Sequence, residues 1–165
     1  MAASKIVSAL ELGSHSERCH DEGRTLVFTN GCFDLLHVGH VRYLQAARSR
    51  GDLLAVALNG DASVKALKGP SRPINPELDR AEVLAALGCV DFVVLFHTPR
   101  VSELIRIIRP QLYVKGGDYT VDALDSGERQ ALEEVGAKIE ILQLVPGKST
   151  TAVIHRLSNS STPTA

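Results

Sequence analysis

Short apolar segments of strand length alternate with helical segments along most of the 165-residue chain. The clearest strand signal is the run 52–58 (DLLAVAL), in which apolar residues follow one another without polar alternation. An uninterrupted apolar strand is typical of a parallel sheet that is covered on both faces. Strands that alternate with helices require right-handed crossover connections. The pattern therefore predicts an α/β fold with a single doubly wound, Rossmann-like parallel sheet and helices on both faces.

The chain divides into three predicted parts. Residues 1–23 are expected to form a helical N-terminal extension, residues 24–157 the α/β domain, and residues 158–165, with almost no apolar content, a disordered tail. Within the domain, strands are expected at 24–30, 52–58, 90–96, 112–114 and 138–144. Helices are expected at 38–50, 62–67, 77–87, 101–108, 121–135 and 150–157, and Asp61 is expected to cap the second of them.

Composition excludes several classes of protein. Lys and Arg number 18 and Asp and Glu 19, a net charge of −1, so binding of nucleic acid through its phosphate backbone is not expected. Four Phe, three Tyr and no Trp leave little material for stacking bases. No apolar run approaches the length of a membrane span, no secretory signal is visible, and the three cysteines form no CxxC pair. These features predict a cytoplasmic protein with no membrane contact.

The loop between the first strand and the next helix carries the strongest functional signal. His37 and His40 stand three residues apart, so that both imidazoles can face one site from the first turn of the helix. The N-terminus of that helix offers free N–H groups and a positive dipole end, which favour bound phosphate. Gly31 and Gly39 let the backbone approach a ligand closely. The loop also supplies further candidates: Asn30, Cys32 and Phe33 for a nucleotide, and Asp34 either to orient His37 or to help hold a metal ion.

A zinc site is the alternative reading of the two histidines. Zinc-binding pairs on helices usually stand four residues apart with an acid between them, as in HExxH. Here the spacing is three, Gly39 lies between the histidines, and no further Cys or His cluster supplies a third ligand. The arrangement therefore favours phosphate chemistry over metal binding.

The remaining candidates lie in the other loops that follow strands, because ligands bind at the carboxyl ends of the strands in a doubly wound sheet. Lys115, beside two glycines, is expected to contact phosphate, and Arg72, between Ser71 and Pro73, to grip phosphate with its guanidinium group. Open candidates are Lys65, Lys68 and Lys148 (phosphate-binding or solvated), Asn59 and Asp61 (substrate contact or, for Asp61, capping), and Asp118 (sugar hydroxyls or the turn itself). The candidate cations predict a local positive pocket within a near-neutral chain.

The start of the last predicted helix is a second candidate anion site. Ser149, Thr150 and Thr151 place hydroxyl groups beside the free N–H groups of that helix end.

Several blocks of sequence, taken together and in order, resemble a known family. The segment 31–40 (GCFDLLHVGH) resembles the HxGH signature of the nucleotidyltransferase superfamily. A narrower resemblance is to the adenylyltransferases of ADP-heptose synthesis, which act on D-glycero-β-D-manno-heptose 1-phosphate. It rests on the blocks 28–40 (FTNGCFDLLHVGH), 67–74 (LKGPSRPI), 79–84 (DRAEVL), 114–119 (VKGGDY) and 149–151 (STT). That family often carries a fused sugar kinase, for which 165 residues leave no room, so the chain resembles the stand-alone form.

The resemblance implies an enzyme that transfers AMP from ATP to a sugar 1-phosphate and releases pyrophosphate, in the synthesis of lipopolysaccharide core precursors. It implies that Mg²⁺ accompanies ATP and that His37 and His40 stabilise the α-phosphate. It also implies that Lys115 acts as a further catalytic cation and that residues 149–151 bind the triphosphate.

Three alternatives remain open at this stage. Spacing does not separate adenine from cytosine, so a cytidylyltransferase that uses CTP and glycerol 3-phosphate, or a similar alcohol phosphate, is one of them. A nucleotide sensor without activity is another, against which the intact His37, His40 and Lys115 weigh. The third concerns the apolar segment 101–108, which packs either inside the fold or at a homodimer interface.

Overall fold

The structure, a computed structural model, describes residues 2–117, 120, 124–143 and 153–154. Within them, five strands form one sheet in the order β3-β2-β1-β4-β5, and every neighbouring pair is parallel. The predicted doubly wound α/β class is confirmed. The strands are β1 (Leu26–Gly31), β2 (Leu53–Asn59), β3 (Phe92–Phe96), β4 (Leu112–Gly116) and β5 (Lys138–Leu142).

Six α-helices are described around this sheet, and a short 3-10 turn at Ala2–Lys5 precedes the first of them. They are α1 (Ala9–Asp21), α2 (Val38–Arg48), α3 (Asp61–Lys68), α4 (Glu77–Ala85), α5 (Ser102–Ile108) and α6 (Ser126–Val135). None of the described helices is long and apolar enough to cross a membrane.

Two helix starts differ from the prediction for identifiable reasons. Helix α6 begins at Ser126 rather than at 121, because the Asp125 side chain accepts hydrogen bonds from the Gly127 and Glu128 N–H groups and so caps the helix there. The expected cap role of Asp61 is wrong. Gly60 is the N-cap of α3 without a side-chain bond, and Asp61 is the first helical residue. Of the predicted helix 150–157, only residues 153–154 are described, and they are helical; the predicted tail lies outside the described residues.

Each face of the sheet carries its own apolar core. On one face α1, α5 and α6 bury side chains such as Leu12, Ile105 and Leu132. On the other face α2 and α4 bury side chains such as Leu44 and Leu84. Because α1 shares a core with the sheet, the N-terminal helix packs as part of the same unit as the strands.

The apolar helix α5 directs most of its large side chains inward. Leu104, Ile105 and Ile108 are buried in the core that α5 shares with α1 and α6, whereas Ile107 is 44 % exposed. Internal packing, one of the two alternatives left by the sequence, therefore accounts for most of the apolar character of this helix.

The strand order reverses between β1 and β4. The chain runs outward from β1 through β2 to β3, then returns to the other side of β1 to form β4 and β5. At such a switch point the loops after the two central strands separate and leave a crevice for ligands. The loop with His37 and His40 follows β1. Strand β4 ends at Gly116, two residues later than the predicted strand 112–114, so that Lys115 is the last residue but one of the strand.

Candidate active site

The segment that joins β1 to α2 places both histidines at the start of α2. His37 is the N-cap residue, and its Nδ1 accepts a hydrogen bond from the Gly39 N–H at 3.1 Å. The His40 Nδ1 in turn accepts from the His37 N–H at 3.3 Å. Because both Nδ1 atoms act as acceptors, these bonds assign the proton of each neutral ring to Nε2. Each ring then provides one N–H donor, as binding of a phosphate oxygen requires.

Stacking holds the two imidazole rings side by side. Their centroids lie 3.9 Å apart with 27° between the ring planes, and the Phe33 ring packs edge-on against His40 at 5.5 Å. Burial, with a smaller contribution from His37, lowers the pKa of His40 from 6.5 to about 4. His40 is therefore a neutral hydrogen-bond donor near pH 7 rather than a cation.

Phe33 has a left-handed backbone conformation, and its ring packs against Gly31. Its φ is 43°, in the left-handed region, and its side chain is only 8 % exposed. A Cβ atom added to Gly31 would lie 2.9 Å from the Phe33 ring, closer than Cβ contacts in proteins allow. Gly31 thus lets Phe33 fold back against the end of β1, the position expected for the floor of a nucleotide site.

Lys115 reaches the same edge of the sheet from β4. Its Nζ lies 3.4 Å from the Oδ1 of Asn30, which is near the end of β1. It also lies 3.2 Å from the Oη of Tyr113 and 3.2 Å from the Oε2 of Glu128 on α6. The ammonium group expected to bind phosphate is therefore held by three protein oxygens from two strands and a helix.

Sequence reasoning did not single out Tyr113 or Glu128. Tyr113 had a usable signal, because residues two apart on a strand point to the same face and Tyr113 precedes Lys115 by two positions. Glu128 had none, because its approach to Lys115 depends on how α6 crosses back over the sheet.

Asp34 binds the segment before α4. Its carboxylate pairs with the Arg72 guanidinium at 2.5 Å and accepts hydrogen bonds from the Ile74 and Asn75 N–H groups at 2.8 and 3.1 Å. Burial raises the pKa of Asp34, but the bonds from Asn75, Arg72 and Ile74 outweigh it and leave the pKa below its usual value. Both roles left open for Asp34 by the sequence remain predictions.

Arg72 lies beside the predicted site, with its guanidinium bound to a carboxylate. The side chain is 18 % exposed and the Asp34 side chain 2 % exposed. A nearly buried carboxylate requires a paired cation, which explains why Arg72 is drawn to Asp34. With Lys115 paired to Glu128, the expected local positive pocket is balanced by carboxylates at both of these cations.

Arg80, on the first turn of α4, is a buried cation that connects three segments of the chain. It is 2 % exposed, and its guanidinium donates to the Cys32 carbonyl at 2.6 Å, the Asn75 carbonyl at 2.9 Å and the Asp61 carboxylate at 2.7 Å. Arg80 therefore ties the loop after β1 to the segment before α4 and to the start of α3. Because two of the three partners, Cys32 and Asp61, are distant in sequence, no local pattern predicts this role.

The candidates after β2 form contacts of their own. Asn59 is buried and donates to the Ser63 Oγ at 2.9 Å. The Asp61 N–H donates to the Glu77 carboxylate at 2.8 Å, and the Asp61 side chain binds Arg80. Lys65 and Lys68 lie exposed on the last turn of α3. These contacts explain the local fold and leave substrate contact by Asn59, Asp61 or Lys68 as a prediction.

The other candidates lie either in the loop after β1 or outside the described residues. Gly39 is buried, and Cys32 is half-buried, with burial raising the pKa of its thiol. Asp118, Lys148 and residues 149–151 lie outside the described residues.

Comparison with known proteins places this site in a family. A sequence model described as "Cytidylyltransferase-like" matches residues 28–162. The chain belongs to the cytidylyltransferase-like family. The predicted nucleotidyltransferase identity is thereby confirmed, and the matched region contains the histidine loop, Lys115 and all of the sheet except the first two residues of β1.

Curated relatives that are about 50 % identical to this chain are named bifunctional protein HldE. The chain is 54 % identical over 135 residues to the bifunctional protein HldE of Syntrophotalea carbinolica, covering 82 % of this chain and 27 % of the relative. It is 47 % identical over 157 residues to the bifunctional protein HldE of Citrifermentans bemidjiense, covering 95 % of this chain and 32 % of the relative. The chain thus spans about a third or less of the length of these relatives.

Solved structures share the fold. The crystal structure of the lipopolysaccharide core biosynthesis protein from Thermoplasma volcanium matches 74 % of this chain and 98 % of its own, with a TM-score of 0.60 and 27 % identity. The pantoate-beta-alanine ligase of Francisella tularensis matches 94 % of this chain and 76 % of its own, with a TM-score of 0.58. Its 13 % identity extends the likeness to the fold alone.

Proposed function

We propose that this nucleotidyltransferase transfers AMP from ATP to D-glycero-β-D-manno-heptose 1-phosphate, giving ADP-heptose and pyrophosphate. The observation that carries the chemistry is that the imidazole N–H donors at the start of α2 and the Lys115 ammonium on β4 follow two neighbouring parallel strands at the same edge of the sheet. An anion at this edge of the sheet would meet N–H donors, a helix N-terminus and a cation.

The residues fit a reaction that needs charge stabilisation but no general base. An oxygen of the sugar phosphate attacks the α-phosphorus of ATP, the new P–O bond forms, and the bond to the β-phosphate oxygen breaks to release pyrophosphate. Because the attacking group is already an anion, no proton has to be removed. The Nε2–H donors of His37 and His40 and the ammonium of Lys115 would stabilise the charge on the α-phosphate and the leaving group.

Nucleotide binding would use the rest of the loop after β1. Phe33 and the Gly31–Cys32 backbone would form the floor beneath the nucleotide, with Asn30 and Gly39 beside it. Residues 149–151 would bind the triphosphate. Arg72, Asn59, Asp61, Lys68 and Asp118 remain candidates for the sugar phosphate, and Arg72 would have to exchange its Asp34 partner to reach it.

Mg²⁺ is proposed to enter with ATP. Across the part of the chain that the structure describes, no group of three or more His, Cys, Asp or Glu side chains is placed to hold a metal ion. The described residues therefore offer no ready-made metal site, and the phosphate oxygens of ATP are the natural ligands.

The heptose substrate is proposed from similarity. The five ordered blocks resemble the heptose 1-phosphate adenylyltransferases, and the relatives named HldE share about half of their aligned residues with this chain. The matching structure from Thermoplasma volcanium is named for lipopolysaccharide core biosynthesis, the pathway that heptose serves.

Release of pyrophosphate tests the proposal directly. The protein would be assayed with ATP, CTP, GTP or UTP against heptose 1-phosphate, glucose 1-phosphate and glycerol 3-phosphate. We expect turnover with ATP and heptose 1-phosphate, and a loss on the order of 10²–10³ in kcat for His40→Ala. If no pair of nucleotide and acceptor released pyrophosphate, the result would contradict the proposal and favour a nucleotide sensor without activity.

The description of the matching family favours one second candidate function, that of a cytidylyltransferase. A cytidylyltransferase acting on glycerol 3-phosphate would need the same histidines and the same lysine. A strong preference for CTP in the same assay would replace the adenylyl proposal by this one.

A further inference from the structure

Every donor of the Lys115 ammonium already has an acceptor. A lysine ammonium has three N–H donors. Around the Lys115 Nζ stand three oxygens: Glu128 Oε2 at 3.2 Å, Tyr113 Oη at 3.2 Å and Asn30 Oδ1 at 3.4 Å. To bind a phosphate oxygen, Lys115 must give up one of these partners.

The Asn30 contact is the one that can be released at least cost. It is the longest of the three, and the same Asn30 Oδ1 accepts a 2.6 Å hydrogen bond from the Tyr113 hydroxyl. Asn30 therefore keeps a partner when the lysine turns away. Burial and the nearby Glu128 raise the pKa of Tyr113 well above its ordinary value, so its hydroxyl keeps the proton that it donates.

Glu128 is the partner that is held most firmly in place. It lies in the first turn of α6, where the helix dipole favours a negative charge, and its N–H is bound by the Asp125 cap. Its side chain is 7 % exposed, so the carboxylate is nearly buried and has the Lys115 ammonium as its counter-ion. Releasing this contact would leave the nearly buried negative charge without a counter-ion, with only the neutral Tyr113 hydroxyl 3.2 Å away.

We propose that Glu128 is a positioning residue, which holds the Lys115 ammonium at the switch point. Lys115 then donates to a phosphate oxygen the N–H that now contacts Asn30. This inference rests on the proposed function of Lys115. It implies a compromise: the carboxylate weakens anion binding by its negative charge but fixes the direction of the cation that stabilises the transferred phosphate.

The test compares Glu128→Gln with Glu133→Gln, a matched change at an exposed carboxylate on the same helix. Calorimetry with inorganic tripolyphosphate measures anion binding without turnover, and pyrophosphate release measures kcat and the KM for ATP. For Glu128→Gln we expect the Kd of tripolyphosphate to fall about 3- to 10-fold, because one like charge leaves the site. We expect kcat to fall roughly 10-fold or more, because Lys115 loses its fixed direction. The KM for ATP should not rise, and Glu133→Gln should change nothing.

A second background identifies the residue through which Glu128 acts. In a Lys115→Gln protein, adding Glu128→Gln should still tighten tripolyphosphate binding, because one like charge leaves the site, but it should not lower kcat further, because the lysine that the carboxylate positions is gone. The proposal is overturned if Glu128→Gln leaves the Kd unchanged or raises it, or if it lowers kcat as much without Lys115 as with it. If wild type releases no pyrophosphate, the proposed function fails, and the binding measurements still decide the role of Glu128.

Discussion

At the scale of single residues, His37 combines two tasks in one ring. Its Nδ1 caps α2 by accepting from the Gly39 N–H, and this bond assigns its proton to Nε2, where a phosphate oxygen can accept it. His40 reciprocates by accepting from the His37 N–H. The spacing HxGH therefore builds both the start of a helix and a pair of donors.

Two substitutions at His37 separate these tasks. Asparagine is a strong N-cap residue without the imidazole donor, whereas alanine supplies neither group. We expect His37→Ala to lower the free energy of unfolding by about 0.5–1 kcal/mol, and His37→Asn to leave it nearly unchanged. Both should lower kcat on the order of 10²–10³. Urea unfolding and pyrophosphate release measure the two effects, and an active His37→Asn enzyme would contradict the donor role.

The lowered pKa of His40 makes a prediction about stability and pH. Its folded pKa of about 4 lies below the ordinary value of 6.5, so the unfolded chain takes up the proton first as the pH falls. The stability contributed by neutral His40 is complete above pH 6.5 and is lost progressively toward pH 4.

Urea unfolding at several pH values tests this prediction. His40→Gln should lose less stability than wild type between pH 6.5 and 4. The control His20→Gln changes an exposed histidine on α1 and should behave as wild type. Equal losses in wild type and His40→Gln would show that His40 does not couple protonation to folding.

At the scale of elements, two clamps hold the histidine loop against the segment before α4. Asp34 binds Arg72 and the N–H groups of Ile74 and Asn75, while Arg80 binds the Cys32 and Asn75 carbonyls. The loop after β1 is therefore fixed from a segment about forty residues away, as its role in positioning two histidines requires.

Helix α2 itself is fixed to both strands of the switch point. Tyr43, one turn after His40, places its Oη 2.7 Å from the Thr29 Oγ1 on β1 and donates to the Val114 carbonyl on β4 at 3.1 Å. The orientation of the helix that carries the histidines is thus tied to the two strands beside the site.

Removing the Arg80 clamp should destabilise the protein. Arg80→Met keeps much of the side-chain volume but leaves two half-buried carbonyls and the Asp61 carboxylate without their donor, so we expect a loss of about 2–4 kcal/mol in the free energy of unfolding. Arg24→Met, which breaks an exposed ion pair with Glu22, should have little effect. Equal urea midpoints for Arg80→Met and wild type would contradict the clamp.

At the scale of the whole molecule, one sheet is shared by two cores. Leu44 lies in the core on the α2 and α4 face, and Ile105 in the core on the α1, α5 and α6 face; both are fully buried. Since the same strands form the floor of both cores, neither is expected to unfold without the other.

Truncations in the two cores test this coupling. Leu44→Ala and Ile105→Ala should each lower the free energy of unfolding by about 2–5 kcal/mol, and each should still unfold in a single transition. Leu10→Ala, at a side chain that is 76 % exposed, serves as the control and should have little effect. Two separate transitions by calorimetry in either core variant would show that the faces fold independently.

The sequence by itself determined the fold class, the helix N-terminus at the histidine pair and the strand that carries Lys115. These features follow from local patterns: apolar runs of strand length, helical spacing, and glycines at the turns. The family followed from blocks in a fixed order, and the match over residues 28–162 confirms it.

Only the tertiary structure decided which charges meet. Glu128 pairs with Lys115, Asp34 pairs with Arg72, and Arg80 connects three segments of the chain. The sequence around these residues does not specify which charged groups will pair. The physical reason is that a cation or carboxylate withdrawn from water must find a counter-charge at whatever place the packing of helices on the sheet provides. Sequence spacing located the edge of the sheet where phosphate chemistry belongs, and packing fixed which of its charged groups are paired with one another.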